Sequence, residues 1–329
     1  MTADISLRAR SLQLYSFMCQ HIVGTEETVR TKRLIQTIWD TLNVDETTAQ
    51  VTSGSIGEGL ELKGSDIDMM LVWKFVILYK DTDDVKYDDL EKMILVIEMN
   101  DAKPGFTLLR SPFIDDRAYI FLQRGNSWYL SSERFKLVKC QATTKIGLNI
   151  IHGPCLSNKT ETADLAYCPH YPHWIQPAEN WLHRGHIWWP SSDVMSDVID
   201  HGVLFVPIGS KGSVNEALEW RISFSIAEKL LIYSFSHTQL LCYALMKILL
   251  KDLINSNINC KNLLCSYFIK TIIFWVSEET SVTEWKPENL IQCFMRCFRR
   301  LLYCVEYSMC PHYFIPIINF FENKIEEQP

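Results

Sequence analysis

The hydrophobic pattern turns from strand-like to helical past the middle of the chain, and that change limits the fold more than any other feature of the sequence. Residues 50 to 168 read mainly as strands, as in Asp68–Leu78, Met93–Met99, Ala118–Leu122 and Trp128–Leu130. Turn sequences such as Lys103-Pro104-Gly105 and Arg124-Gly125-Asn126 separate them. From Asn215 onward the period is helical, over Glu216–Phe235, Thr238–Ile254, Leu263–Val276 and Pro287–Glu306. Pro287 suits a first helical position, where its missing N–H is not needed. A sheet-bearing half followed by a helical half predicts an α+β fold of two lobes. The crossing falls near Ile199–Ser213, which holds Gly202, Pro207, Gly209 and Gly212, so the expected domains are 1–212 and 213–329.

A long helix is expected over Thr25–Leu42. Leu34, Ile35, Ile38, Trp39 and Leu42 recur at helical spacing and read as its core face. Glu26 and Glu27 fall in the first turn, where the helix dipole favours them. Arg30, Lys32 and Arg33 then form a basic outer face, either simply solvated or a nucleic-acid groove.

The sequence Gly54-Ser55 stands eleven residues before Asp66-Ile67-Asp68, at the head of the apolar run Met69-Met70-Leu71-Val72. In a strand, side chains two apart share a face about 6.6–7 Å apart. Asp66 and Asp68 are therefore expected to point together, with Ile67 turned into the core. Two carboxylates so spaced suit a pair of catalytic Mg²⁺ ions about 3.5–4 Å apart. Gly54 lets backbone N–H groups approach a triphosphate, and Ser55 adds a hydroxyl. The same residues also fit a plain turn and a solvated strand edge. A third acidic ligand is required, and Asp164 in the alternating segment Thr162–Cys168 is the candidate, with an ordinary edge-strand Asp as the other reading. Asp115 and Asp116 compete less well, because they follow Ser111-Pro112 in a turn-like context.

Bulk properties narrow the class. The chain of 329 residues is 47% hydrophobic and 22% charged, in the range of folded proteins rather than disordered ones. Its net charge of −7 requires any polyanion to be held by local basic patches. Eleven cysteines fall without a spaced framework, several on apolar segments, and read as reduced core thiols. Met1 to Arg10 lacks the apolar stretch of a signal peptide, and Lys247 and Lys270 interrupt the longest apolar runs. The expected setting is cytoplasmic, with no membrane partner.

Gly54-Ser55 followed by Asp66-Ile67-Asp68 resembles the nucleotidyltransferase signature of the cyclic GMP-AMP synthase-like receptors, within the male-abnormal-twenty-one-like group. Further stretches resemble that group in the same order: Gly153–Ser157 with Asp164–Cys168, Trp174 and Trp181–Arg184, then Trp220–Lys229, then Leu245–Lys247, Ser266–Thr271 and Pro311–Pro316. The resemblance spans about residues 50–320. It implies a bilobal nucleotidyltransferase fold, with a twisted mixed sheet, a long spine helix and a C-terminal helix-hairpin-helix-like lobe. It implies that Asp66, Asp68 and Asp164 bind two Mg²⁺ or Mn²⁺ ions and that Ser55 holds a nucleotide phosphate. Arg221, Ser223, Ser225 and Glu228 would contact the acceptor nucleotide, and Lys247, Ser266 and Lys270 the donor triphosphate, with Tyr267 stacking on a base. Substrates would be ATP and/or GTP, the product a cyclic dinucleotide, and the activator double-stranded RNA along the Arg30–Arg33 helix. The alternative is a catalytically silent member that binds nucleotide or partners.

Duller readings of the helical residues stand beside these. Lys247 and Lys270 would merely snorkel to water. Tyr267 would be a core residue with a satisfied hydroxyl. No Cys-Cys pair interrupts Leu230–Cys242, so the zinc-binding insertion of the DNA-sensing relative is not expected. Cys168, His170, His173, His183 and His186 are weakly spaced for zinc and read better as a Pro/aromatic loop packed by Trp174 and Trp181.

Overall fold

The computed structural model describes residues 2–86, 91–113, 119–160, 162–258 and 263–322. Asp115 and Asp116 lie outside the described residues, as does Ala118 at the start of one expected strand. The chain divides into two units. One comprises Lys32–Gln176 and Asp197–Leu230, the other Met1–Thr31, Pro177–Ser196 and Leu231–Pro329.

In chain order, helices α1 (Thr2–His21) and α2 (Glu26–Leu42) lead into strand β1 (Thr48–Ser53) and the single turn α3 (Gly54–Gly57). Strands β2 (Ile67–Trp73), β3 (Val76–Tyr79), β4 (Met93–Glu98), β5 (Phe106–Ser111), β6 (Phe121–Arg124) and β7 (Ser127–Leu130) follow. Then come α4 (Ser132–Thr143), β8 (Leu148–His152), β9 (Cys155–Asn158), β10 (Ala163–Cys168) and β11 (His170–Tyr171). Next are α5 (Glu179–His183), α6 (Ser192–His201), β12 (Val203–Val206), β13 (Glu219–Ser223) and α7 (Ser225–Tyr233). Helices α8 (His237–Ile248), α9 (Ser266–Glu279) and α10 (Leu290–Glu306) complete the set.

The sheet-bearing unit has two sheets. One runs β1-β2-β10-β9-β8, with β2 and β10 parallel and the other pairs antiparallel. The other runs β11-β12-β13-β5-β4-β3, with the β6–β7 hairpin attached to β5. Ala166, Cys168, Leu204 and Val206 are buried where strands of the two sheets meet, packed by Met70, Val72, Ile208 and Ile226. Trp73 and Tyr167 meet Phe135 edge to face and Trp220 packs on it at a tilt, with the Trp220 indole N–H donating to the Leu130 carbonyl at 2.8 Å.

In the helical unit, α8 begins with a capping box in which Ser236 and Gln239 satisfy each other's backbone N–H groups. Leu240, Leu241, Cys242, Ala244 and Met246 are buried, and α10 turns Cys293, Cys297, Leu301 and Cys304 inward at helical spacing. Six of the ten described cysteines are buried and all ten are free thiols. Arg184 grips Glu278 with two parallel N–H···O bonds of 2.7 and 2.8 Å, and Tyr313 adds a third donor at 2.7 Å. This bidentate pair stands against the Trp275 and Tyr313 rings. Among the described residues no helix is long and apolar enough to cross a membrane.

Several expected elements change. Asp68–Leu78 is two strands in different sheets, broken at Lys74-Phe75, where Lys74 Nζ reaches back to the Asp45 carbonyl. The strand expected over Ala118–Leu122 runs over Phe121–Arg124. Helix α4 lies inside the stretch read mainly as strands, opened by Ser131, whose hydroxyl accepts from the Arg134 N–H. Glu216–Ser223, expected as helix, contains β13. There Trp220, Ile222 and Phe224 are buried in alternation, a period of two that competed with the helical pattern downstream.

The largest correction concerns α2, whose polarity is reversed from expectation. Leu34, Ile35, Ile38, Trp39 and Leu42 face solvent. The protein side of the helix is held by polar bonds instead. Asp40 accepts from the Thr52 backbone N–H and hydroxyl and from Lys229 Nζ at 3.0 Å. Gln36 donates to Thr52 at 2.7 Å, and Arg33 Nε to the Glu58 carbonyl at 2.9 Å.

Candidate active site

Strands β2 and β10 run parallel with Asp164 directly beside Asp68, while Ala163 pairs with Ile67. Adjacent strands lie about 4.8 Å apart, so two carboxylates at one register and on one face are neighbours by backbone geometry alone. Asp66, just before β2, joins them. One carboxylate oxygen from each of Asp66, Asp68 and Asp164 can be chosen so that all three lie within 4.8 Å of one another. Each residue is only partly buried. Ile67 does not enter the core as expected; it is 42% exposed, because β2 enters its sheet only at this residue.

Gly54 is fixed by the same cluster. Strand β1 places Ser53 opposite Asp68, and Gly54 follows at φ +62°, in the left-handed region. A Cβ there would sit 1.8 Å from Asp68 Oδ2 and 2.8 Å from its Cγ. The glycine is thus required both by its backbone angle and by the carboxylate packed on it. Ser55 follows on α3, its carbonyl accepting from the Leu60 N–H at 2.8 Å.

Three further residues shape this pocket of charge and escaped the sequence reading. Ser157, fully buried on β9 and paired with Asp164 across the hairpin, donates its hydroxyl to Asp164 Oδ1. The alternation of that hairpin carried the signal, since Ser157 and Asp164 flank its turn symmetrically. Cys155 has its thiol pKa pushed up to about 12, by burial first and then by the Asp164 and Asp68 carboxylates, with Arg221 and Lys136 opposing. Lys136 on α4 donates to the Gly153 carbonyl at 3.0 Å. Burial lowers its pKa, Glu133 opposes that shift, and Arg221 adds to it. Lys136 had no sequence signal, because α4 itself was not foreseen.

The remaining expected residues divide between the units. In the sheet-bearing unit, Arg221 and Ser223 lie on β13, with Arg221 exposed and within electrostatic reach of Cys155 and Lys136. Ser225 and Glu228 open α7; Glu228 is buried, and the Ser225 hydroxyl is shielded from water without a hydrogen-bond partner among the described residues. In the helical unit, Lys247 ends α8 with its ammonium over the Tyr243 ring at 5.2 Å. Ser266, Tyr267 and Lys270 open α9. The Tyr267 hydroxyl lies 3.1 Å from His312 Nε2, its ring meets Phe320 edge-on, and Lys270 Nζ stands 6.0 Å from its centroid.

On α2 the three basic residues have separate fates. Arg30 pairs with Glu26 at 2.6 Å, Lys32 with Glu61 at 3.5 Å, and Arg33 is turned to the Glu58 carbonyl. Three of the five His/Cys residues weighed for zinc are engaged elsewhere: Cys168 is buried beside Met70, His170 bonds the His201 carbonyl, and His186 bonds the Trp181 carbonyl. Trp174 packs on Phe224, and Trp181 on Phe314.

Comparison with known proteins adds independent information. Residues 239–328 match the Mab-21 protein HhH/H2TH-like domain. The chain is 28% identical over 151 residues to the cyclic GMP-AMP synthase of Mus musculus, a match covering 42% of this chain and 30% of that protein. The synthase of Sus scrofa is 29% identical over 157 residues, covering 43% of this chain and 32% of that protein. The mab-21-like protein of Drosophila melanogaster is 24% identical over 161 residues, covering 46% and 42%. The matched segments therefore span about a third of the synthases and less than half of the fly protein.

Proposed function

This chain belongs to the family of cyclic GMP-AMP synthase-like and Mab-21-like proteins, of nucleotidyltransferase fold, and from that premise we propose that it is a metal-dependent nucleotidyltransferase. Its substrates are ATP and/or GTP, and its product is a cyclic dinucleotide messenger. The observation that carries the reading is the convergence of Asp66, Asp68 and Asp164 around Gly54. Three carboxylates that close repel one another, and a purely structural role gives no reason to gather them.

The donor set is all hard oxygen, which fits Mg²⁺ or Mn²⁺. When two such ions are bound by Asp66, Asp68 and Asp164, they supply charge neutralisation and a more acidic hydroxyl. The rest falls to the chain. Asp164 takes the proton of the acceptor ribose hydroxyl on the carboxylate oxygen not engaged by Ser157. The freed hydroxyl oxygen bonds to the donor α-phosphorus, and the bond to the bridging oxygen breaks to release pyrophosphate. A second round between the same two nucleotides closes the ring. Gly54 and Ser55 hold the triphosphate. Arg221, Ser223, Ser225 and Glu228 position the acceptor, and the Ser225 hydroxyl, unpartnered among the described residues, supports that role. Lys247, Ser266 and Lys270 offset charge on the leaving pyrophosphate, and Tyr267 offers an aromatic face to a base.

In this reading residues 1–212 form the catalytic core and 213–329 the helical lobe. The protein acts in the cytoplasm as an innate immune receptor switched on by double-stranded RNA at Arg30, Lys32 and Arg33. The test of the chemistry is Asp68→Asn. The parent should convert labelled ATP and GTP to a cyclic product in Mn²⁺ with the RNA present, and the variant should lose at least about a thousandfold of that rate. Equal turnover by the variant would dismiss the mechanism.

A further inference from the structure

The outward stripe of α2 is left unexplained by the proposed chemistry. Leu34, Ile35, Ile38, Trp39 and Leu42 are 50–75% exposed, and Val44 continues the apolar surface past the helix end. At 100° per residue these five side chains fall within a single arc, opposite Gln36 and Asp40. They make a patch on the order of 500 Å², the size of the largest apolar patch a monomer carries, and a patch of that rank is often a contact surface. The helix cannot roll to hide it. Rolling would withdraw Asp40 from Lys229 and from Thr52, stranding charge at a pair whose side chains are both 12% exposed.

The charges beside the stripe say what covers it. Lys32 precedes the first apolar residue, while Asp45 and Glu46 follow the last. Asp45 is held as an anion, its pKa lowered to about 2, chiefly by the Thr47 hydroxyl and the Thr48 and Thr47 N–H groups. Lys32 already lies beside Glu61, and Asp45 has the Lys74 ammonium on its carbonyl, so both ends are mixed in charge; reversing one copy on the other still sets the Lys32 cation toward Asp45 and Glu46. Laid parallel, two such helices would set Lys32 on Lys32 and Asp45 on Asp45.

We propose that the stripe is a homodimer interface, across which a second copy of this chain packs its own α2 antiparallel. A two-fold axis between Ile38 and Trp39 sets Ile35 against Leu42, Ile38 against Trp39, and Lys32 opposite Asp45 at both ends. Lys32 already makes only an exposed pair with Glu61 at 3.5 Å, which costs little to exchange. The isologous arrangement doubles every contact.

Sedimentation velocity of the full chain, without nucleotide, over a concentration series from micromolar upward tests this. The parent should show a concentration-dependent monomer–dimer equilibrium. Ile38→Asp and Trp39→Lys should each raise the dimer Kd by at least about tenfold. Both residues are exposed, so melting of the monomer should hardly move. Lys32→Glu should weaken the dimer less, and the effect should shrink in high salt. A parent monomeric throughout overturns the proposal, as does a dimer indifferent to both apolar substitutions. A monomer that instead floats with phosphatidylcholine vesicles through Trp39 also overturns it, since the stripe then meets lipid.

Discussion

A single hydrogen atom at residue 54 sustains the acidic cluster. Because a Cβ there would lie 1.8 Å from Asp68 Oδ2, Gly54→Ala must either displace that carboxylate or shift β1 against β2. The left-handed backbone adds roughly 1–2 kcal/mol of strain for a non-glycine residue. The expected result is a fall in turnover of at least about a hundredfold, with Mn²⁺ affinity reduced in parallel and the secondary structure intact by circular dichroism. Turnover within a factor of two of the parent would show that Asp68 has room to move. The two aspartates were legible in the sequence as a strand pair, but the clash was not, since it depends on Ser53 facing Asp68 across the sheet. Ser157 is a different case: its symmetric place across the hairpin from Asp164 was readable, but the hydroxyl bond that gives it a role is set by the register.

Among elements, α2 shows the limit of periodicity. The sequence marks one helix face as apolar but does not say that this face must be inside. Here the opposite face won, through Asp40 bonding Thr52 and Lys229 and through Gln36 and Arg33. Burial raises the Asp40 pKa, yet the Thr52 bonds and the Lys229 charge outweigh it and hold the group below its ordinary value. A depressed carboxylate contributes stability above its unfolded pKa, near 3.9, and loses that contribution as pH falls through the lower folded value. Asp40→Asn should therefore cost about 1.5–3 kcal/mol at neutral pH, by removing the anion that faces Lys229 while its bond to the Thr52 carbonyl remains. It should also flatten the loss of stability below about pH 4. Urea melts of parent and variant across acid and neutral pH would measure both. The α+β class and the helices α8 to α10 were readable because long runs of apolar residues repeat there. Strand β13 was missed because five residues of alternation sit against a strong helical pattern.

For the whole molecule, the net charge of −7 and the gathered carboxylates act together. With no ion bound, Asp66, Asp68 and Asp164 repel one another; a divalent ion bound only by the folded chain stabilises it by mass action. At a hundredfold excess over Kd the gain is about 2.7 kcal/mol. Differential scanning fluorimetry should record an upward shift of several degrees with Mn²⁺, absent in Asp164→Asn. If that variant responds like the parent, the ion binds elsewhere. Nucleotide added after the metal should raise the melting temperature again.

The ladder between β2 and β10 has a further consequence. Asp68 and Asp164 keep their separation because two backbones are stitched together residue for residue, not because their side chains happen to meet. Prising them apart would mean unzipping a sheet. An activator therefore has little leverage on the pair itself, and any on-off control of this protein has to operate on what surrounds a permanently assembled centre.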